Sequence, residues 1–284
     1  MSAIVEFFGR SVEGQGQNWG QIAQEQRCIF LEKKCYKVRK SDPNTAIGSC
    51  TVLYGRRPEP IVICPARLIE HGQIFTDCFH LLTTHEPGNE LHLVPEVTIP
   101  GGNVDYFLVS VRAGKVKDFV GIEIQALDTT GTIWPERQRL LQRLGVPTDD
   151  GDENSQKSYG MNWKMTAKTT LVQMHHKIQT FEHVNKKLVL IVQDKLLVYM
   201  ARQFNFGHVK NPAVIGDSMH FHIYRMDQRA NGSFKPTMQS RLSTDAEGIG
   251  ICLGLQAEAR VDLEQILQAL QAKLSPATLF VPRF

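Results

Sequence analysis

The sequence predicts an α/β protein: a mixed β-sheet flanked by helices, with a small cysteine-bearing module at its N-terminal end. Three observations carry this expectation. Three extended runs follow one another between residues 91 and 128, parted by short glycine-containing turns. The run LVLIVQ at 188–193 is continuously apolar, as a strand buried on both faces of a parallel sheet would be. Stretches with helical spacing alternate with these strands.

Taken in order, residues 1–26 open on a short apolar stretch, turn Gly/Gln-rich, and read as a loosely held arm. Residues 27–65 hold four cysteines and strand-like runs such as SCTVLYG and PIVICP. Over 66–83, Leu68, Ile69, Ile74, Phe75, Cys78 and Leu81 recur at helical spacing, which predicts one amphipathic helix. The polar turn THEPGNE leads to LHLVPEVTIP, NVDYFLVSVR and DFVGIEIQALD. Gly101-Gly102 and Ala113-Gly114-Lys115 separate these three, so antiparallel hairpins are expected. An acidic loop, DDGDEN at 149–154, precedes a long helix over 162–187 that leads into the apolar strand. A helix over 194–204, a strand within 213–227 and an amphipathic helix over 261–274 complete the reading. Two units are expected, an arm with the cysteine module at 1–65 and the α/β unit at 66–284.

Composition bounds the function. The chain has 284 residues, 42% apolar and 21% charged, which excludes wholesale disorder. No apolar run approaches the ~18–20 residues that span a bilayer, and no secretory leader is expected, so the cytoplasm is the expected compartment. A net charge of +3 does not by itself indicate a nucleic-acid partner. In a reducing compartment structural disulfides are rare. Cys28, Cys35, Cys50 and Cys64 then read either as a tetrahedral thiolate cage or as buried small hydrophobes. The spacing, x6, x14 and x13, lacks tight C-x2-C knuckles. Zinc is the default metal for such a cage, and iron also accepts four thiolates. Cys78 and Cys252 fall in apolar patterns and read as core. Base is dense around the module, with Arg27, Lys33, Lys34, Lys37, Arg39 and Lys40 close together, either a phosphate-contacting surface or a solvated face.

The strongest chemistry is Asp105, then x17, then Glu123-Ile124-Gln125. Glu123 and Gln125 sit two residues apart on a strand and so share a face. If the strand holding Asp105 pairs alongside, two carboxylates meet. Such a pair binds Mg²⁺ through oxygen, and the metal can activate water against a phosphodiester.

This Asp…Glu-x-Gln layout on a helix-then-hairpin core resembles the PD-(D/E)xK nuclease fold. The fuller string, CYKVRKSDPNTAIGSCTVLYGRRPEPIVICPARL followed by VGIEIQALDTTGT, resembles the NotI-like type II restriction endonucleases over roughly residues 5–200. The resemblance implies a homodimer from a prokaryotic cytoplasm that cuts both strands of double-stranded DNA at a specific site using Mg²⁺. It implies Asp105 and Glu123 as metal-binding carboxylates, with Gln125 where most of the superfamily has Lys. Gln can hold a water but cannot act as a base. Val104 stands where the motif name has Pro. The family's four-cysteine structural iron would fall on Cys28, Cys35, Cys50 and Cys64, leaving iron or zinc there. A repair or junction-cutting nuclease and a non-catalytic metal-containing DNA-binding protein are the alternatives.

Further positions carry two readings each. Glu70 is an additional acid or a solvated helix residue, and Asp128 is a cap or a supporting acid. Lys164, Lys168 and His175 form a basic helix face reaching DNA phosphates or an exposed flank. Together with Arg39 and Lys40, the two lysines are the expected DNA contacts. His220 and His222 share a strand face as a metal pair or as packed residues, and His85 is given no role.

Overall fold

The run of β-branched and leucine side chains from Lys187 to Gln193 is buried at every position, and it forms the middle of the structure's main sheet. The structure, a computed structural model, describes residues 3–148 and 158–255, with Gln268 and Ala272. The acidic loop at 149–154 and, apart from those two residues, the helix expected over 261–274 lie outside the described residues.

A four-stranded antiparallel sheet comes first, from β1 (Ile4–Phe7), β2 (Arg10–Ser11), β3 (Ser49–Tyr54) and β4 (Glu59–Val62), in the order β2-β1-β3-β4. The beginning of the chain is therefore not a loose arm. Ile4, Phe7 and Phe8 are fully buried, because IVEFF supplies an apolar strand that pairs with β3. Gly48 lets Phe8 in, since a Cβ there would lie 2.7 Å from its ring. Helix α1 (Trp19–Glu25) follows, its first turn capped by the Asn18 side chain.

The main sheet has six strands: β5 (Glu90–Ile99), β6 (Gly102–Arg112), β7 (Lys115–Gln125), β8 (Lys187–Gln193), β9 (Met219–Gln228) and β10 (Phe234–Thr244). Their order is β10-β9-β8-β7-β6-β5. The expected hairpins are present, with β5, β6 and β7 pairing antiparallel. Ala113 and Gly114 both have positive φ, as a tight hairpin turn requires. Strand β8 runs parallel to β7 and β9, so its burial on both faces has a direct cause. Strand β10, which periodicity did not reveal, contains Pro236 and many polar residues; it is an edge strand, where both are tolerated.

Helices α2 (Trp134–Arg143), α3 (Trp163–His183), α4 (Asp194–Gln203) and α5 (Ala246–Leu253) complete the fold. One face of the sheet contributes Leu188, Leu190 and Val192 to a cluster with Leu171, Met174 and Ile178 of α3. The same cluster contains Ile4, Phe7 and Val52, so apolar contact is continuous between residues 1–65 and the rest. The opposite face packs Val120, Ile122, Ile124, Val189 and Ile191 against Leu68, Ile74, Phe75, Cys78 and Leu81.

Those last residues do not form the single helix that their spacing predicts. A 3₁₀ segment (Pro65–Gly72), one α-turn (Gln73–Thr76) and a second 3₁₀ turn (Phe79–Leu81) take its place. Glu70 is extended, and His71 and Gly72 have positive φ, which no helix interior accommodates. The buried face survives the break because the segment still lies along the sheet. Arg67 anchors it, pairing with Glu6 at 2.7 Å and Glu70 at 3.0 Å while both Arg67 and Glu6 are buried. Among the described residues, no helix is long and apolar enough to cross a membrane.

Candidate active site

Strands β6 and β7 pair with Tyr106 opposite Ile122, which brings Asp105 beside Glu123 and Ile124. Asp105 Oδ2 accepts a hydrogen bond from the Ile124 backbone N–H at 2.9 Å. Ile122 and Ile124 belong to the opposite apolar cluster, so strand alternation turns Glu123 and Gln125 toward α3. Gln125 Nε2 donates to the Ala126 carbonyl at 2.5 Å.

Helix α3 brings a lysine to this pair. Lys177 Nζ donates to Glu123 Oε1 at 2.6 Å, with both side chains only 8% exposed. Asp105, Glu123, Gln125, Asp128, Gln173 and Lys177 line a cleft of about 360 Å³, together with Lys37, Asn103 and Thr170. Burial raises the pKa of Glu123 to about 7, the Asp105 charge adds to the rise, and Lys177 opposes it. Burial also raises Asp105, against the pull of the Ile124 N–H. Three carboxylates (Asp105, Glu123, Asp128) against two ammoniums (Lys37, Lys177) leave the cleft short of positive charge when the acids are ionised. A divalent cation would complete that balance.

The structure thus brings together Asp105, Glu123 and Gln125, with Asp128 at the same cleft. Asp128 is tied to the start of α3: its backbone N–H donates to Thr166 Oγ1 at 3.3 Å, and its carbonyl accepts from the Asn162 N–H at 2.8 Å. Lys177 escaped the sequence reading. A signal was present, since Lys177 continues the stripe Thr166, Ala167, Thr170, Leu171, Met174, Ile178, Phe181 that α3 buries. A lysine on the apolar side of a helix needs a buried partner.

Other candidates lie elsewhere. Lys164 and Lys168 are exposed and, by helical geometry, turn away from the side of α3 that carries Thr170, Gln173 and Lys177. His175 is half-buried on that same outer side. Arg39 stacks over Trp134 at 4.3 Å and, with exposed Lys40, lines a separate recess of about 500 Å³. Glu70 is not a solvated helix residue: it pairs with Arg67 and with Arg229 at 3.3 Å, and it does not line the cleft. His85 Nδ1 contacts Ser110 Oγ at 2.9 Å. His220 and His222 are buried on the opposite face of the sheet from Glu123, where the His222 ring stacks on His80.

The four cysteines are buried and unpaired by disulfides. The neighbouring Cys50 depresses the Cys64 thiol to about 6, against burial and with help from Lys37. Cys64 in turn raises Cys50, and burial raises Cys28 and Cys35. Backbone groups of Phe30 and Leu31 favour the Cys28 thiolate, Lys37 that of Cys35, and Ala66 that of Cys64. Among the described residues, no group of three or more His, Cys, Asp or Glu side chains is set to hold a metal ion as it stands. The four-cysteine metal module expected from the sequence is therefore not shown by the side-chain arrangement of the described residues. Cys50 Sγ donates to the Gly48 carbonyl at 3.5 Å, and Cys64 Sγ lies 4.0 Å from the Tyr36 hydroxyl. Cys78 and Cys252 are core residues as expected.

Comparison with protein families supplies the class. Residues 21–235 match the family model described as restriction endonuclease NotI, and the class is that of type II restriction endonucleases, which cleave DNA at specific sites. The match spans most of the chain, which therefore belongs to the NotI restriction endonuclease family. No curated protein matched the chain.

Proposed function

We propose that the cleft between β6, β7 and α3 is where this endonuclease hydrolyses DNA, with Asp105 and Glu123 as the ligands of a catalytic Mg²⁺. The observation that carries this reading is the convergence of two carboxylates from adjacent strands, Glu123 buried and Asp105 half-buried, on one polar cleft. Their raised pKa values mark groups that a cation would stabilise in the ionised form. When bound, Mg²⁺ supplies a water of lowered pKa and neutralises charge building on the phosphate. The strand pairing sets the ligand geometry, because Asp105 is fixed by the Ile124 N–H next to Glu123 on the neighbouring strand. Gln125, one strand period beyond Glu123, orients water or phosphate oxygen by hydrogen bonding and does not take a proton. The fold is accordingly read as the PD-(D/E)xK core, and the working unit as a homodimer that presents two such clefts to the two strands. Arg39 and Lys40, in the recess beside α2, and the exposed Lys164 and Lys168 are read as phosphate contacts.

The four cysteines are read as a structural iron or zinc site that closes when metal is present. Burial of all four and the backbone groups favouring three of the thiolates support that reading. Lys37, Cys64 and Pro65 connect this cluster to the cleft, since Lys37 and Pro65 line it. The test of the cleft is cleavage of plasmid and genomic DNA with Mg²⁺ by the wild type and by Asp105→Asn. Discrete fragments from the wild type and none from the variant support the reading, and equal cutting by both overturns it.

A further inference from the structure

Lys177 occupies a position that packing alone does not explain. It lies on the stripe of α3 that faces the sheet, between Met174 and Ile178, both buried. An ammonium there is expensive unless a carboxylate compensates it, and an unpaired one is strongly destabilising. Its partner is not a surface acid but Glu123, at 2.6 Å inside the cleft. The other lysine that lines the cleft, Lys37, is spoken for by the Ile63 carbonyl at 2.5 Å.

The surroundings hold Lys177 in place. The turn between β5 and β6 lies directly on the part of α3 that carries it. A Cβ on Gly101 would meet the His176 carbonyl oxygen at 2.3 Å, and one on Gly102 would lie 3.2 Å from Lys177 Cε. Thr180 Oγ1, one turn further along α3, donates to the Pro100 carbonyl at 2.8 Å. The two glycines therefore let helix and hairpin close on each other, and the lysine stem runs through that contact. The same hairpin leads within three residues to Asp105. One packing contact thus sets the position of both groups relative to Glu123.

We propose that Lys177 is a positioning residue for DNA cleavage, holding the Glu123 carboxylate by Oε1 and placing a fixed positive charge beside the scissile phosphate. Gln125, on the same strand face as Glu123, is neutral, so this charge reaches the site from α3 and not from β7. The inference rests on the nuclease reading of the cleft. It requires a cation at this place more than it requires this particular residue, and the test uses that.

The experiment compares single-turnover cleavage at saturating Mg²⁺ for the wild type, Lys177→Met, Lys177→Met/Gln125→Lys and Asp105→Asn. DNA affinity is measured in Ca²⁺, Mn²⁺ affinity by calorimetry, and the thermal midpoint on each protein. The expected result is a loss of about a hundredfold in rate for Lys177→Met. DNA and Mn²⁺ affinities stay within about threefold of wild type, and the double variant recovers at least about tenfold in rate. A Lys177→Met rate within about threefold of wild type overturns the proposal. So does a loss matched by DNA binding or Mn²⁺ binding, or no recovery in the double variant. A lower thermal midpoint is expected for Lys177→Met, because Glu123 is left buried without its cation. The two levels separate cleanly. Cutting by wild type and Asp105→Asn alike removes the cleft as the site, whereas an inactive Asp105→Asn beside a fully active Lys177→Met removes the role of Lys177 alone.

Discussion

Asp105 Oδ2 accepts the Ile124 N–H at 2.9 Å across the β6–β7 pair, beside Glu123, whose Oε1 accepts from Lys177 Nζ at 2.6 Å. Each acid is therefore aimed by a specific hydrogen bond, not by a flexible surface contact. Glu123→Gln keeps the shape and the Lys177 contact but removes the charge. We predict that it lowers cleavage by at least about a thousandfold while DNA binding in Ca²⁺ stays within about threefold, because the lost interaction belongs to the reaction and not to docking. Gel-shift and single-turnover assays on one preparation check both halves.

How much of this was legible in the sequence follows the range of the interactions. The hairpin glycines and the LVLIVQ strand are local signals, and the structure places them as expected. Asp105, Glu123 and Gln125 could be grouped because strand period and hairpin pairing are enough to bring them together. Lys177 could not, because its partner is 54 positions away and only the packing of α3 on the sheet unites them. The break at His71-Gly72 was hidden because the burial pattern on both sides of it still matches helical spacing. Strand β10 and helix α2 were missed for a related reason: polar residues and Pro236 mask the strand, and Arg137 and Gln138 are buried in the helix.

The four buried cysteines lead to a second prediction. Cys50→Ser removes one of the four proposed ligands. Elemental analysis of the purified variant should show loss of most of the bound iron or zinc, with a lower thermal midpoint, since structural sites are folded by their metal. Wild-type protein carrying no metal, or a variant that keeps it in full, would contradict the four-cysteine site.

The buried pair Arg67–Glu6 joins the segment at 65–72 to the first strand, with Thr51 also bonded to Glu6. Arg67→Met leaves Glu6 charged, buried and without its cation. The expected cost is about 3–5 kcal/mol, read as a shift of the urea midpoint. Glu6→Gln with Arg67→Met should recover part of it.

Buried His220 and His222 give the enzyme an acid limit. Burial lowers them to about 4 and about 2, the Arg241 charge adding to the effect on His222. Their folded pKa values lie below the ordinary histidine value, so the unfolded chain binds protons first as pH falls. Stability is full above about 6.5 and is lost as pH drops from there toward 4. His222→Leu should shrink that loss by about 3 kcal/mol, measured as denaturation midpoints at pH 7 and pH 4.

The central claim is that Asp105 and Glu123 cut DNA at one defined sequence. The most direct test is Mg²⁺-dependent digestion of a sequenced genome by the wild type and by Glu123→Gln, followed by sequencing of the fragment ends. Wild-type ends are expected to share one sequence and a fixed overhang, with intact DNA in the variant lane. Ends of unrelated sequence, or the same fragments from Glu123→Gln, would contradict that claim.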